Sequence, residues 1–388
     1  MKWSCVKLGT VIKLYHGKAT SYTNDISEKY PVYGANGIVG YNNKSLFSDA
    51  IIFGRVGAYC GSVNYCQSQF WATDNTIIGK VDDKHNQLFI FNQLRNIPIN
   101  QFCNGSAQPL ITNKILNDIC ILLPSRQIQD KIANILTRYD DLIENNRRRI
   151  AILEEMAMRT YQEWFVHFRY PGHESTAFIN GLPAGWEEKM LGDVIEFDRG
   201  CSYTSEEIDV SEGVNLINLK NIQAYGGYNY DGLKLFGGTY KSRHIVKQGD
   251  LVMGVTDMTQ DRRTVGAVAL IPKYNETSII STDLVKMRSE IPNIFLYCMF
   301  RFGGISKFVS EFANGSNVLH LKPTSIRKQW LCIPKDEIIT AFDNFITPIV
   351  QEMESLTFQN FQLQQMRDRL LPQLMSGQLE VTTNDEAL

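Results

Sequence analysis

Two stretches of this chain carry the same helical spacing of apolar residues, from Ile128 onward and again from Ile338 onward. Ile128, Ile132 and Ile135 open one; Ile338, Phe342 and Phe345 open the other. Each follows the same punctuation, Gly105-Ser106 then Pro124, and Gly315-Ser316 then Pro334. Upstream, Trp3…Leu8-Gly9 recurs as Trp186…Leu191-Gly192-Asp193. A unit that repeats, and ends both times in a long amphipathic helix, restricts the chain to two similar domains, each followed by a rod. Steps alternating between 4 and 3 define a coiled-coil seam, interrupted at Asn146 and Arg149. A rod over 126–168 needs a partner, and the repeated helix supplies it. Each rod leaves its own domain, so antiparallel packing with pseudo-twofold symmetry is expected.

The spacing predicts an α+β chain with two strand-rich α/β domains joined by two long antiparallel coiled-coil helices. The expected segments are 1–125, a helix over 126–170, a linker and second domain over 171–335, and a distal helix and tail over 336–388. Ala50–Gly54 and Thr76–Gly79 read as short strands closed by glycine, and Leu88–Leu94 as a short helix. Asp250–Gly254 parallels Asp49–Gly54, and Ser281-Thr282-Asp283 parallels Ala72-Thr73-Asp74. Agreement at scaffold points with divergent loops fits domains that read different things. Pro124 and Pro334 start the helices; Arg169–Gly172 stops the first, and Pro372 with Ser376-Gly377 kinks and stops the second.

Charge is unevenly spread. The first 125 residues carry 11 basic against 7 acidic side chains, and residues 336–388 carry 2 against 9. Nucleic-acid binding by such a chain would use local patches or a basic partner. Eight cysteines form no C-x₂-C pair, so free, mostly buried thiols in a reducing cytoplasm are expected, with neither a zinc site nor a disulfide framework. The N-terminus lacks a signal-peptide core, and the longest apolar run, Ile119–Leu123, is too short to span a bilayer. A phosphate loop, a strand–G-x-G-x-x-G–helix unit, an Asn-Pro-Pro-Tyr motif and a nucleophile elbow are all missing.

Several segments together carry a family resemblance. They are Tyr30-Pro-Val-Tyr-Gly-Ala-Asn-Gly-Ile-Val-Gly-Tyr41, Gly54-Arg-Val-Gly-Ala-Tyr-Cys-Gly61, Glu163-Trp-Phe-Val-His-Phe-Arg-Tyr-Pro-Gly172 and Leu370-Leu-Pro-Gln-Leu-Met-Ser-Gly-Gln-Leu379. Over nearly its whole length the chain resembles the specificity subunit of Type I restriction–modification enzymes. The resemblance implies two target-recognition domains, each reading half of a bipartite site in double-stranded DNA. It implies helices that space the domains and dock two modification (methyltransferase) subunits, with restriction (translocase/nuclease) subunits joining that core. Phage inhibitors that mimic DNA are a further implied class of partner. No cofactor belongs on this chain; S-adenosylmethionine, ATP and Mg are implied on the partners. The chain itself is then not an enzyme. Rival readings are a DNA-targeting subunit of another phage-defence methyltransferase system, a free-standing nuclease and a tandem carbohydrate-binding protein. The last leaves the two registered helices unexplained.

DNA readers need forked donors for bases and polar groups for phosphates. In the first domain the glycine-rich loops offer Lys18, Tyr33, Asn36, Tyr41, Arg55, Tyr59, Asn104 and Gln108. Arg55 leads, because arginine on guanine is the commonest specific contact; the alternative is a solvated loop arginine. For Tyr33 and Tyr41 the alternative is a core aromatic. The second domain offers Arg199, Tyr203, Asn218, Asn221, Thr259, Gln260, Arg262, Arg263, Asn317 and His320. Candidate partner contacts are Arg147, Arg148, Trp164, Phe165, Phe168, Leu371 and Leu374.

Overall fold

The structure is a computed structural model, and it describes residues 3–25, 27, 29–105 and 108–381. Ser106 of the motifs above lies outside the described residues. The chain divides into two compact units, residues 1–142 with 363–388, and residues 143–362.

The first unit is built on a six-stranded sheet. Its strands are β2 (Ile12–His16), β3 (Tyr30–Gly34), β4 (Gly37–Asn42), β5 (Phe47–Gly54), β6 (Val63–Ala72) and β7 (Thr76–Val81), in the order β2-β7-β5-β6-β3-β4. Only β3 and β6 run parallel. Ile51, Ile52, Phe53, Ile77 and Ile78 are fully buried in the adjacent strands β5 and β7, so these strands read as continuous apolar runs. A helix over Gln87–Arg95 is capped by the Asn86 side chain, which accepts from the Phe89 amide at 2.9 Å. Strands β1 (Ser4–Lys7) and β8 (Cys120–Leu123) form a separate antiparallel pair.

The second unit has two four-stranded sheets. One runs Glu196–Arg199, Leu284–Arg288, Leu251–Gly254, Val268–Leu270; the other runs Lys234–Phe236, Val214–Ile217, Ser278–Ile280, Ile245–Val246. A further antiparallel pair joins Glu187–Met190 to Trp330–Ile333.

The repeat is a repeat of hydrogen bonds. Ser4 opposes Leu123 in the first unit, and Glu187 opposes Ile333 in the second. The Leu8 amide donates to Ile119 O at 2.8 Å, and the Leu191 amide to Gln329 O at 2.7 Å. A Cβ on Gly9 would stand 2.8 Å from the Asn117 side chain, and one on Gly192 equally close to Arg327. The same bonds correct one alignment: Ser281 corresponds to Thr73, not Ala72. Gly17 meets Thr73 O as Gly200 meets Ser281 O, each too close for any side chain.

The long helices cover Arg126–Tyr161 and Asp336–Ser376. In each unit the segments of these helices present there run antiparallel. Asp140 pairs with Arg367 at 2.6 Å in the first unit, and Arg149 with Glu352 at 2.5 Å in the second. Ile128, Ile132, Asn146 and Phe342 of the expected seam are buried, but at other positions the buried stripe lies one residue beyond it. Ile143 and Ala157 are buried while Leu142 and Met156 are about half exposed; Ile346 and Met353 are buried while Phe345 is exposed. A straight helix turns every 3.6 residues, so a 3.5-residue template drifts off the true stripe within two heptads. Both helices shift together, so their mutual register holds. The first ends in a π-helical turn, Gln162–Val166, and the second runs through Pro372 to Ser376, with Gly377 beyond it at φ 74°.

Two cysteine expectations are corrected. Cys60 and Cys103 form a disulfide, and Cys5 and Cys120 are exposed. Spacing hid the pair because the Gly57–Tyr59 turn and the segment after Phe102 are brought together only by the fold. Among the described residues no helix is long and apolar enough to cross a membrane, and no three His, Cys, Asp or Glu side chains cluster to hold a metal.

Candidate nucleic-acid interface

In the first unit the polar loops gather around the β6–β7 turn, Thr73–Thr76. The chain after β2 is pinned to it: the Gly17 amide donates to Thr76 O and the Lys18 amide to Ala72 O, while Trp71 Nε1 donates to Lys18 O at 2.7 Å. Lys18 itself is exposed. The Arg55 amide donates to Asn75 O, and its Nη1 reaches Asp74 O at 3.2 Å. The rest of that guanidinium makes no hydrogen bond among the described residues. Asn36, on the β3–β4 turn, is exposed, and Tyr59 is 58% exposed. A cleft of about 320 Å³ is lined by Thr20, Tyr22, Asn36, Tyr59, Asp74 and Asn75. Asn104 and Gln108 are exposed nearby in sequence to Cys103, which the disulfide ties to the Tyr59 turn.

The two tyrosines of the first domain divide. Tyr33 is half-buried, edge-on to Phe70 at 5.4 Å, and burial raises its hydroxyl's pKa. It is a wall of the sheet. Tyr41 is half-buried on β4 and exchanges backbone hydrogen bonds with Thr23.

In the second unit Arg199 is exposed and its Nε donates to Thr282 Oγ1 at 3.2 Å. Asp257 builds the neighbouring loop. Its carboxylate is 2% exposed and accepts from the Thr259 amide at 2.8 Å, the Thr259 hydroxyl at 2.9 Å and the Thr264 amide at 2.7 Å. Burial pushes this carboxyl upward, but the Thr264 and Thr259 donors outweigh it and hold it below its ordinary value. The loop so fixed carries Thr259, Gln260, Arg262 and Arg263, all exposed. Arg262 sits at φ 53°, and Arg263 pairs with Asp261 at 2.6 Å. Gln260 Nε2 donates to Ser316 O at 3.0 Å, which brings the loop beside exposed Asn317. His320 is exposed on a strand paired with Thr256. Tyr203 is half-buried beside Cys201 and Leu216.

Asn218 and Asn221 are removed from the reader set. Both are buried and bond the chain itself. Asn221 Oδ1 accepts from the Asn218 amide, its Nδ2 donates to Asn229 O, and Asn218 Nδ2 donates to Gly232 O at 2.7 Å. They are turn-builders, as short amide side chains often are. Sequence reading missed Asp257 and the Asp74 and Thr282 turns. The signal for Asp257 was the Asp-x-Thr spacing of an Asx turn.

The candidate partner contacts also divide. Arg147 and Arg148 are exposed and lean on Glu144. Phe165 and Leu374 are buried in the cores of their own units, so neither is free for a partner. Trp164 and Phe168 pack partly against the second unit's core, and Leu371 partly against the first's.

Sequence comparison adds to this picture. Residues 1–155 match the model of the Type I restriction modification DNA specificity domain. Beyond this segment, the chain is 26% identical over 288 residues to the Type I restriction enzyme MjaIX specificity subunit of Methanocaldococcus jannaschii. That match takes in 71% of this chain and 64% of the relative, so less than two thirds of the relative's length is spanned. A second subunit of that organism, from MjaVIII, is 20% identical over 98% of this chain and 93% of its own. The crystal structure of a Type I restriction–modification S subunit from M. genitalium superposes with a TM-score of 0.66 at 16% identity, covering 98% of this chain and 97% of that one. At that identity the likeness speaks for the fold. The resemblance to Type I specificity subunits, read first from loop motifs, thus extends across the chain.

Proposed function

We propose that this chain is the DNA-reading subunit of a Type I restriction–modification assembly. Each unit reads one half of a bipartite site, and the helices dock two methyltransferase subunits, with restriction subunits joining that core. The chain does no bond-making of its own; S-adenosylmethionine, ATP and Mg act on the partner subunits. One observation carries the reading. Two units share a set of scaffold bonds, yet their exposed turns hold different chemistry, Lys18, Asn36 and Tyr59 in one and Thr259, Gln260 and Arg262 in the other. A repeated frame with unlike reading surfaces suits two unlike half-sites.

The test is a transplant. The full chain is co-expressed with its methyltransferase subunits after residues 8–119 are replaced by the matching segment of a relative. Sequencing of the methylated genome should then show one changed half-site and one retained. A change in both halves, or in neither, would overturn the reading.

A further inference from the structure

The two units put a guanidinium at the same turn, but from different strands. The Thr73-Asp74-Asn75-Thr76 turn corresponds to Ser281-Thr282-Asp283-Leu284. In each, the third residue's carbonyl accepts from the residue after a strand-closing glycine, Asn75 O from the Arg55 amide and Asp283 O from the Val255 amide, both at 2.9 Å. The fourth residue's carbonyl accepts from Gly17 in one unit and from Gly200 in the other. These bonds equate Arg55 with Val255 and His16 with Arg199. Charge has therefore changed places. The first unit has arginine after the glycine and histidine ahead of Gly17; the second has a buried valine after the glycine and arginine ahead of Gly200. Yet both arginines hydrogen-bond the second residue of the turn, Arg55 to Asp74 O and Arg199 to Thr282 Oγ1, each at 3.2 Å.

One hydrogen bond anchors each guanidinium and leaves the rest of its donors uncommitted among the described residues. A planar fork fixed at one edge and open at the other fits two acceptors side by side. The guanine O6 and N7 edge in the major groove offers that pair. We infer that Arg55 and Arg199 are equivalent specificity residues, each reading a guanine at the same position counted from the modified base of its own half-site. This inference rests on the reading of each unit as a half-site reader.

The test uses the full chain assembled with its methyltransferase subunits, and a duplex library randomised one base pair at a time. Arg55→Met should lower discrimination at one G·C pair of one half-site by about tenfold, leaving every other position intact. Arg199→Met should do the same at the corresponding pair of the other half. Arg55→Lys and Arg199→Lys keep the charge and stand in for any Met variant that fails to assemble; the fork is lost, so the same position should relax. Loss spread evenly over all sequences, with a shallower salt dependence, would make these phosphate contacts and overturn the inference. Relaxation at a pair other than G·C, or at unequal positions in the two halves, would overturn it too. None of these results touches the bipartite reading, which fails only if the wild-type motif or the transplant shows no separate halves.

Discussion

Asp257 is a charge placed where charge is expensive, and its surroundings say why it stays. Burial alone would favour the neutral acid, but backbone and hydroxyl donors from Thr259 and Thr264 favour the carboxylate more. Its carboxyl therefore titrates lower folded than unfolded. Stability from this group is complete above the unfolded value, and is lost as pH falls through the folded value, below the ordinary carboxylate range. Asp257→Ala should cost the second unit about 1.5–3 kcal/mol at neutral pH, and flatten the acid limb of its stability curve. Urea melts between pH 7 and pH 3 check this; an acid limb identical to the wild type would show that other carboxylates govern it. At this scale the sequence was readable where side chains are exposed and unreadable where they turn inward. Arg55 and Arg199 were visible as loop arginines. Asn218 and Asn221 looked the same on paper, because nothing local marks an amide that will spend itself on Asn229 and Gly232.

Helices show the same division between pattern and packing. The 3–4 spacing revealed both rods and their common register, yet placed Leu142, Phe345 and Met156 inward when their neighbours Ile143, Ile346 and Ala157 are the buried ones. The π-helical turn at Gln162–Val166 was beyond any template. It carries Trp164 and Phe165, whose rings lie 5.5 and 4.8 Å from Phe342. Phe342 is fully buried there, and Phe342→Ala should destabilise the second unit by about 3–5 kcal/mol, measured by denaturant melting of the full chain. A loss below about 1 kcal/mol would mean that the cluster collapses around the gap. Farther along the same helix, Tyr230 stacks against Phe358 and Phe361, 5.0 and 5.7 Å away. Glu354 is pressed into this contact, and burial pushes its carboxyl up to about 7. A raised carboxyl means that the folded state holds the proton more tightly, so stability falls as pH climbs from the ordinary range through about 7. Glu354→Gln should therefore stabilise the unit by about 1–2 kcal/mol at pH 8, and by much less at pH 5. A benefit equal at both pH values would show that charge is not the cause.

At the scale of the whole chain, the scaffold that the two units share was legible because duplication prints it twice. Glycines at 9 and 192, or 17 and 200, are forced by close backbone and side-chain approaches, and such constraints survive in sequence. Loops obey no such rule, which is why the disulfide between Cys60 and Cys103 and the Asp257 loop had to be seen. Assigning the chemistry to partners has a direct check. Titration calorimetry of the pure chain with S-adenosylmethionine should give no heat of binding, and the assembled complex should give it. Micromolar binding by the chain alone would return a cofactor site to it.

The strand-rich part of each unit is entered and left through one antiparallel strand pair, Ser4–Lys7 beside Cys120–Leu123, and Glu187–Met190 beside Trp330–Ile333. Residues opposed across such a pair sit about 5 Å apart. Each strand-rich part therefore begins and ends at nearly one point, like an appliance on a single plug. Whatever lies between the prongs can be exchanged, lengthened or rewritten without pulling on the wiring behind it. Under the proposed function, an exchange at this socket keeps the rods and puts a new word in one half of the address.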